Sequence, residues 1–207
     1  MIAIVDYGRG NLGSVEKAFI RVGMDAVVTQ DARVVDEAEA VVLPGDGAFH
    51  FVMDNLDRLG LMKPVRRVLE GQRPFLGICL GYQLLFSSSE EFRYGPGLNV
   101  VPGAVRRLPK GQKIPHIGWN RVWHGGSLRL FEGVPDGARF YFVHSYVPAI
   151  DLKVSPSVRQ AWCEYGQRFP AAIESGHIYA TQFHPEKSQK DGIRILENFA
   201  AVVREAR

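Results

Sequence analysis

Cysteine, excess charge of one sign and long apolar runs are all scarce in this 207-residue sequence, and each shortage excludes a class of protein. Two cysteines, Cys79 and Cys163, cannot build a disulfide framework, so a reducing, cytoplasmic compartment is expected. The formal net charge is only +3 and is spread along the chain, which predicts no nucleic-acid partner. No apolar run approaches the roughly 18 residues that span a bilayer, and Asp6 follows the first apolar stretch too early for a signal peptide.

The first half of the chain alternates short apolar runs with segments of helical periodicity. Residues 2–5, 26–28, 40–43 and 74–78 have the composition of strands buried in a parallel sheet. Apolar residues recur at helical spacing after Asn11, a predicted N-cap, and around residues 65–69, where Gly71 ends the pattern. This order predicts right-handed crossovers and an α/β fold, with a central, mostly parallel sheet flanked by helices.

The second half is predicted to be rich in antiparallel strands. Residues 105–108, 139–143, 160–164 and 171–174 are short apolar runs separated by Gly, Pro and Asp. Helical periodicity returns only at the end, where Ile193, Leu196, Phe199 and Val203 share one face. Because there is no internal repeat and no linker, residues 1–207 are predicted to form a single domain.

Cys79 lies in the most informative segment, an apolar run that continues as Gly77-Ile78-Cys79-Leu80-Gly81. A nucleophile on a tight strand-to-helix turn needs glycines on both sides, because neighbouring backbone comes too close for Cβ atoms. Such a turn places the sulfur at a helix N-terminus, which favours a thiolate, and leaves the N–H of Leu80 free for an oxyanion. We therefore predict that Cys79 is a nucleophile rather than a small buried hydrophobic residue, which is how we interpret Cys163.

His184 has the most favourable setting for the base that such a thiol requires. It precedes Pro185, which favours an extended conformation for the residue before it. Residues i and i+2 of an extended segment point to the same side, so Glu186 is predicted to reach the imidazole and support its charged form. Only the fold can bring Cys79 and His184 together, because they lie far apart in the sequence.

Both segments resemble signatures of the class I glutamine amidotransferases, and the resemblance covers nearly the whole chain. These enzymes hydrolyse the side-chain amide of glutamine to glutamate and deliver the ammonia to a partner active site. The resemblance implies that Cys79 is the nucleophile, His184 the general base and then acid, and Glu186 its orienting partner. The substrate-binding residues that it implies are Gly45, Asp46, Gly47, Leu80, Gln83, Ser145 and Tyr146.

Asp46 departs from the family pattern, which usually has an apolar or small residue at this position of the oxyanion loop. A carboxylate that pointed into an oxyanion hole would oppose the negative charge that develops there. We therefore expect the Asp46 side chain to face away from the site, with only its backbone N–H taking part. Glycines on either side give the loop the freedom to rotate a peptide.

Five sequence blocks that occur in the same order narrow the resemblance to one branch of the family. This branch comprises the glutaminase subunits of a synthase of histidine biosynthesis. The blocks are residues 6–12, 44–47, 116–120, 141–146 and 184–188. This branch implies a heterodimer with a (β/α)₈ cyclase, whose barrel carries ammonia to a ribonucleotide substrate. The residues implied to face this partner are Asn11, Trp119, Tyr141 and Lys187. From residue type alone, Trp119 and Tyr141 could equally well be core aromatics. Lys187 is also compatible with a solvated surface position.

The expected chemistry is acyl transfer without a metal or an organic cofactor. The Cys79 thiolate attacks the carboxamide, backbone N–H groups hold the oxyanion, and His184 moves the protons that release ammonia and then activate water. No spacing is typical of zinc, no segment fits a P-loop, and Gly8, Gly10 and Gly13 form only part of a dinucleotide-binding pattern. Activity is expected to be low in the isolated chain and to rise with the liganded cyclase.

Three alternatives remain open at this point. A glutaminase of another synthase, such as those for pyridoxal phosphate or anthranilate, shares the Cys79 turn but lacks the block at residues 6–12. A catalytically silent binding subunit would keep the fold without turnover, which the three intact triad residues disfavour. A cysteine peptidase would share the nucleophile and base but not the other blocks.

Overall fold

The structure is a computed structural model that describes residues 1–92, 94–150 and 156–206. Its α-helices are α1 (Leu12–Arg21), α2 (Ala32–Glu37), α3 (Phe49–Arg58), α4 (Met62–Glu70), α5 (Leu80–Gln83) and α6 (Gln189–Glu205). Its strands are β1 (Ile2–Val5), β2 (Ala26–Thr29), β3 (Ala40–Gly45), β4 (Phe75–Cys79), β5 (Phe86–Ser89), β6 (Gly95–Pro96), β7 (Val101–Arg107), β8 (His116–Val122), β9 (Ala138–His144), β10 (Tyr146–Ile150), β11 (Arg159–Glu164), β12 (Arg168–Ser175) and β13 (Ile178–Thr181). Short 3₁₀ helices lie at Arg129–Phe131 and Pro185–Lys187.

A seven-stranded sheet with the order β11-β12-β13-β4-β3-β1-β2 forms the centre of the fold. The pairs from β13 through β4, β3 and β1 to β2 are parallel, whereas β11 and β12 extend the sheet in antiparallel fashion. Strands β1 and β4 are buried along their whole length, as expected for parallel strands covered on both faces. The predicted α/β fold is thereby confirmed.

Helices cover both faces of this sheet because side chains alternate along its strands. On one face, Ile4 belongs to an apolar cluster with Phe19 of α1 and Phe199 of α6, whose rings meet edge-on at 6.1 Å. On the other face, Val5 belongs to a cluster with Val65 of α4. Burying each such side chain stabilises the fold by about 1.5–3 kcal/mol. Among the helices that the structure describes, none is long and apolar enough to cross a membrane.

The second half forms a four-stranded sheet, with the order β10-β7-β5-β6, and the hairpin β8-β9. Its pairs are antiparallel except for β5 with β7, and the four predicted runs fall on β7, β9, β11 and β12. Asn11 is the N-cap residue of α1, as predicted, but its side chain accepts a hydrogen bond from the Ser14 hydroxyl at 2.8 Å and caps no backbone N–H. Helix α3 was not predicted, although Phe49, Val52 and Leu56 bury one of its faces.

Three parallel strands deliver the predicted site residues to one edge of the central sheet. The register pairs Gly45 at the end of β3 with Cys79 at the end of β4, and Ile78 with Thr181 at the end of β13. His184 follows shortly after β13. Ligands of open α/β sheets bind beyond the carboxyl ends of the strands, and this edge is therefore the expected place for a site.

Candidate active site

Cys79 lies on a strained turn between β4 and α5. Its φ is 55° and its ψ is −102°, a conformation that residues with a side chain rarely adopt outside functional sites. A Cβ on Gly77 would lie 2.8 Å from the carbonyl oxygen of Gly81, and one on Gly81 would lie 1.8 Å from that of Leu43. Both glycines are therefore required by close backbone approach, as the sequence pattern predicts.

The helix after this turn is a single turn long. Helix α5 has four residues, and the chain enters β5 at Phe86. Leu84, Leu85 and Phe86 are all fully buried, so the second sheet rather than a longer helix takes up this apolar run. The dipole of a single turn is small, but His184 also interacts electrostatically with the sulfur.

Replacing Gly81 by alanine is expected to lower the free energy of unfolding by more than about 3 kcal/mol, because the new methyl group overlaps the Leu43 backbone. Gly13→Ala in α1 is the matched control, since a Cβ there meets nothing within 4 Å. The control is expected to be neutral or to stabilise by up to about 1 kcal/mol. Urea titration measures both, and equal effects would contradict the packing argument.

His184 and Glu186 form a buried ion pair beside Cys79. Nδ1 of His184 lies 2.8 Å from Oε1 of Glu186, and the two side chains are 7% and 2% exposed. His184 itself is extended, but Pro185–Lys187 forms a 3₁₀ turn, so Glu186 reaches the ring by way of that turn and not along an extended segment. The predicted contact is present with a different local geometry.

The electrostatics of the pair favour an imidazolium. Burial alone would lower the pKa of His184, but the neighbouring Cys79 sulfur and the Glu186 carboxylate outweigh burial and raise the pKa to about 10. The carboxylate fixes the proton on Nδ1. Nε2 is buried and has no hydrogen-bond partner among the described residues, so it is available to exchange a proton with a sulfur or a leaving group.

Two further groups contact the sulfur. Sγ of Cys79 lies 3.8 Å from the carbonyl oxygen of Val143, and Nε2 of Gln182 donates toward Sγ at 3.7 Å. Oε1 of Gln182 accepts a hydrogen bond from Gln83 at 3.0 Å. Sequence reasoning missed Gln182, because its position after β13 acquires meaning only when β13 lies beside β4.

A cavity of about 400 Å³ opens above this group, within the usual range of small-molecule sites. The predicted residues that line it are Asn11, Gly45, Asp46, Gly47, Cys79, Leu80, Gln83, Ser145, Tyr146, His184, Glu186 and Lys187. Trp119 and Tyr141 lie instead on the β8–β9 hairpin, with their rings 6.1 Å apart. Trp119 is 44% exposed and is therefore not a core aromatic.

The loop after β3 lies close to Cys79 and Leu80. A Cβ on Gly45 would lie 2.7 Å from Cβ of Leu80, and Gly47 has a φ of +96°, so both positions favour glycine. Asp46 is exposed, and its backbone N–H donates a hydrogen bond to the Tyr7 hydroxyl at 3.1 Å. In this arrangement the N–H is already engaged, and its part in an oxyanion hole stays a prediction.

Tyr7 and Glu91 are site residues that the sequence analysis did not single out. Tyr7 is fully buried, which raises the pKa of its hydroxyl well above the ordinary value and keeps it neutral. Glu91 lines the cavity, and its Oε2 accepts a hydrogen bond from the N–H of Phe49 at 2.7 Å. Across the described ranges, no three or more His, Cys, Asp or Glu side chains are grouped to hold a metal ion.

Comparison with known proteins assigns the family. The family model described as "Glutamine amidotransferase class-I" matches residues 3–203, and the chain belongs to this family. It is 52% identical over 205 residues to "Imidazole glycerol phosphate synthase subunit HisH" of Geobacter sulfurreducens, covering 96% of this chain and 97% of that protein. Proteins of the same name from Aquifex aeolicus and Methanothermobacter thermautotrophicus are 49% and 46% identical, over 95% and 99% of this chain and 94% and 100% of theirs.

Solved structures share the fold. A crystal structure described as a glutamine amidotransferase has a TM-score of 0.76 at 20% identity and covers 99% of this chain and 100% of its own. The glutaminase domain of Trypanosoma brucei CTPS with bound acivicin has a TM-score of 0.71 at 17% identity, with coverages of 99% and 93%. At these identities the likeness concerns the fold alone.

Proposed function

We propose that this site hydrolyses glutamine through Cys79, His184 and Glu186, and that the chain is the glutamine amidotransferase subunit of an imidazole glycerol phosphate synthase. The observation that carries the proposal is the strained Cys79 turn beside the buried His184–Glu186 pair on a cavity of about 400 Å³. The family and the relatives at about half identity over nearly the whole chain support glutamine as substrate and histidine biosynthesis as the setting.

The proposed reaction uses only groups of this chain. The Cys79 thiolate attacks the amide carbon of glutamine, and backbone N–H groups at Leu80 and in residues 45–47 receive the oxyanion. The imidazolium of His184 gives its Nε2 proton to the leaving nitrogen, which departs as ammonia and leaves a thioester. Neutral His184 then takes a proton from water as the water attacks the thioester, which releases glutamate and restores the thiolate.

Two polar residues are suited to hold the amino-acid end of the substrate. Both hydrogens of Gln83 Nε2 are used, one by the Tyr146 carbonyl at 2.9 Å and one by Gln182 at 3.0 Å. Its Oε1 is thus the atom left to accept a hydrogen bond. Glu91 adds a carboxylate to the cavity lining, and we propose that it attracts the α-ammonium group of glutamine.

The proposed partner is a (β/α)₈ cyclase that receives the ammonia. Asn11 and Lys187 lie at the cavity, and Trp119 is exposed on the hairpin next to Tyr141. Exposed tryptophans are frequent anchors of protein–protein interfaces. We therefore propose that the partner covers the cavity and the outer face of the β8–β9 hairpin, so that ammonia leaves the site without meeting bulk water.

A glutaminase assay with and without the cyclase and its nucleotide ligand tests the function. The wild-type chain is expected to turn over glutamine slowly by itself and faster in the presence of the liganded cyclase.

The affinity for the cyclase tests the proposed interface. We expect Trp119→Ala to weaken cyclase binding by about 2 kcal/mol, or roughly 30-fold. Trp123→Ala is the control, because Trp123 is similarly exposed at 41% but lies beyond the end of β8, where it pairs with Trp162 of β11.

Three outcomes would contradict parts of this proposal. Full turnover by the isolated chain, unchanged by the cyclase, would remove the proposed coupling. Stimulation by the synthase partner for anthranilate or pyridoxal phosphate, but not by the cyclase, would reassign the pathway. If the folded chain turned over no glutamine with any partner, it would be a catalytically silent binding subunit.

A further inference from the structure

Two buried histidines outside the triad form a continuous hydrogen-bond chain that ends in the proposed glutamine site. Nδ1 of His116 lies 3.0 Å from Nε2 of His144, and Nδ1 of His144 lies 3.0 Å from the carbonyl oxygen of Tyr146. At the other end, Nδ2 of Asn120 lies 3.4 Å from Nε2 of His116. The chain therefore runs from β8 through the end of β9 to the start of β10.

The direction of every proton in this chain is fixed by its two ends. A carbonyl oxygen only accepts, so His144 must carry its proton on Nδ1 and must accept at Nε2. His116 then has to donate from Nδ1 and accept at Nε2, where the Asn120 amide donates. The Asn120 orientation is set independently, since its Oδ1 accepts from the N–H of Arg121 at 2.8 Å and its Nδ2 donates to the carbonyl of Glu164 at 2.9 Å.

The surroundings keep both rings neutral and pack them among aromatic side chains. His116 stacks on Tyr165 at 3.9 Å and on Phe142 at 5.0 Å. Burial lowers the pKa of His116 to about 4, and burial together with the neighbouring His116 lowers that of His144 to about 3. His144 also faces the charged His184, which opposes a second positive charge. Neither ring is thus available as a proton carrier in the reaction.

The chain ends on the carbonyl that also receives the Gln83 side chain. Tyr146 O accepts from Nδ1 of His144 at 3.0 Å and from Nε2 of Gln83 at 2.9 Å. Tyr146, whose carbonyl His144 restrains, and the preceding Ser145 both line the cavity. The same segment is also tied to β7, because the N–H of Leu108 donates to the carbonyl of Ser145 at 3.0 Å and Tyr146 pairs with Arg107.

We propose that His116 and His144 are positioning residues for glutamine binding: their fixed tautomers hold the Tyr146 carbonyl, and with it the Ser145–Tyr146 segment and Gln83, in the arrangement that accepts the substrate. The inference rests on the proposed function, because it concerns how that site takes up glutamine. It also explains why Asn120 and His116 lie on the inner side of β8, whose outer side carries the exposed Ile117 and Trp119.

Paired substitutions at His116 separate this role from packing. Phenylalanine keeps an aromatic ring between Tyr165 and Phe142 but removes the Nδ1–H donor, whereas asparagine keeps an N–H near the Nδ1 position and removes the ring. We expect His116→Phe to raise KM for glutamine about tenfold in the complex with liganded cyclase, with kcat changed less than about threefold. His116→Asn should restore KM to within about threefold of wild type.

A lower KM for glutamine in His116→Phe than in His116→Asn would overturn the inference, because a residue needed only for stacking tolerates phenylalanine better than asparagine. The same comparison at His144 tests the second link, with His144→Asn expected to bind glutamine better than His144→Phe. Thermal unfolding of each variant identifies any that lose the fold.

Imidazole nitrogen NMR of the wild-type chain provides a measurement that needs no variant. Both rings are expected to show the neutral Nδ1–H tautomer near neutral pH, and an imidazolium or an Nε2–H tautomer at either ring would overturn the inference. A wild-type complex without glutaminase activity would instead reject the proposed function, whereas an active wild type with an unaffected His116→Phe variant would reject this inference alone.

Discussion

Replacing Cys79 by alanine is expected to reduce glutamine turnover by at least about 10⁴-fold, the size of effect that follows removal of a nucleophile from a triad. The reason is that the proposed thioester cannot form, because Cys79 is the only cysteine among the described residues that line the cavity. The measurement is glutamate release in the complex with the liganded cyclase, where wild-type activity is expected to be highest.

Cys163→Ala is the matched control for this substitution. Cys163 is fully buried in β11, and burial raises the pKa of its thiol to about 12, so it is inert at neutral pH. The control should keep turnover within about twofold of wild type, because it removes only one buried sulfur away from the site. A Cys79→Ala variant that keeps a tenth of wild-type turnover would contradict the assignment of the nucleophile.

Replacing Glu186 by glutamine is expected to lower kcat by about 10³–10⁴-fold, as when the carboxylate of a serine-protease triad becomes an amide. The Glu186 side chain is 2% exposed and 2.8 Å from Nδ1 of His184, so water cannot replace it. Glutamine can offer an N–H to Nδ1, which favours the wrong tautomer. Glu197→Gln is the control, since Glu197 forms an exposed pair with Arg194 and should change kcat less than about twofold.

The same variant has a signature in the pH dependence. The pKa of His184 is raised from 6.5 to about 10, so its protonation stabilises the folded chain fully below pH 6.5, and this contribution is lost as the pH rises through about 10. Loss of the carboxylate lowers the folded-state pKa of His184. The basic limb of kcat/KM and the alkaline loss of stability should therefore both move to lower pH, and an unchanged profile would contradict the pairing.

The sheet and the turn at Cys79 could be predicted from the sequence because both depend on local patterns. Short apolar runs such as residues 2–5 are typical of parallel strands that are covered on both faces. Glycine is needed at positions 77 and 81 because neighbouring backbone lies too close for a Cβ atom. The contact of Glu186 with His184 was also predictable from spacing, although the 3₁₀ turn at Pro185 was not. Such features need no knowledge of distant residues.

The rest of the site arises from contacts between elements that are far apart in the chain. The hydrogen bond from Asp46 to Tyr7 joins the loop after β3 to the end of β1, and no spacing rule relates the two residues. The link between His116 and His144 depends on the register of β8 with β9. The end of α5 at Gln83 has the same origin, because Phe86 is buried in the second sheet soon after the turn.

The most direct test of the account is to stop glutamine turnover with acid and analyse the chain by peptide mass spectrometry. The account predicts a γ-glutamyl group on the peptide that contains Cys79 and none on the peptide that contains Cys163, with the labelled fraction lost in Cys79→Ala. Glutamate production without any label on Cys79, or a label on another residue, would contradict it.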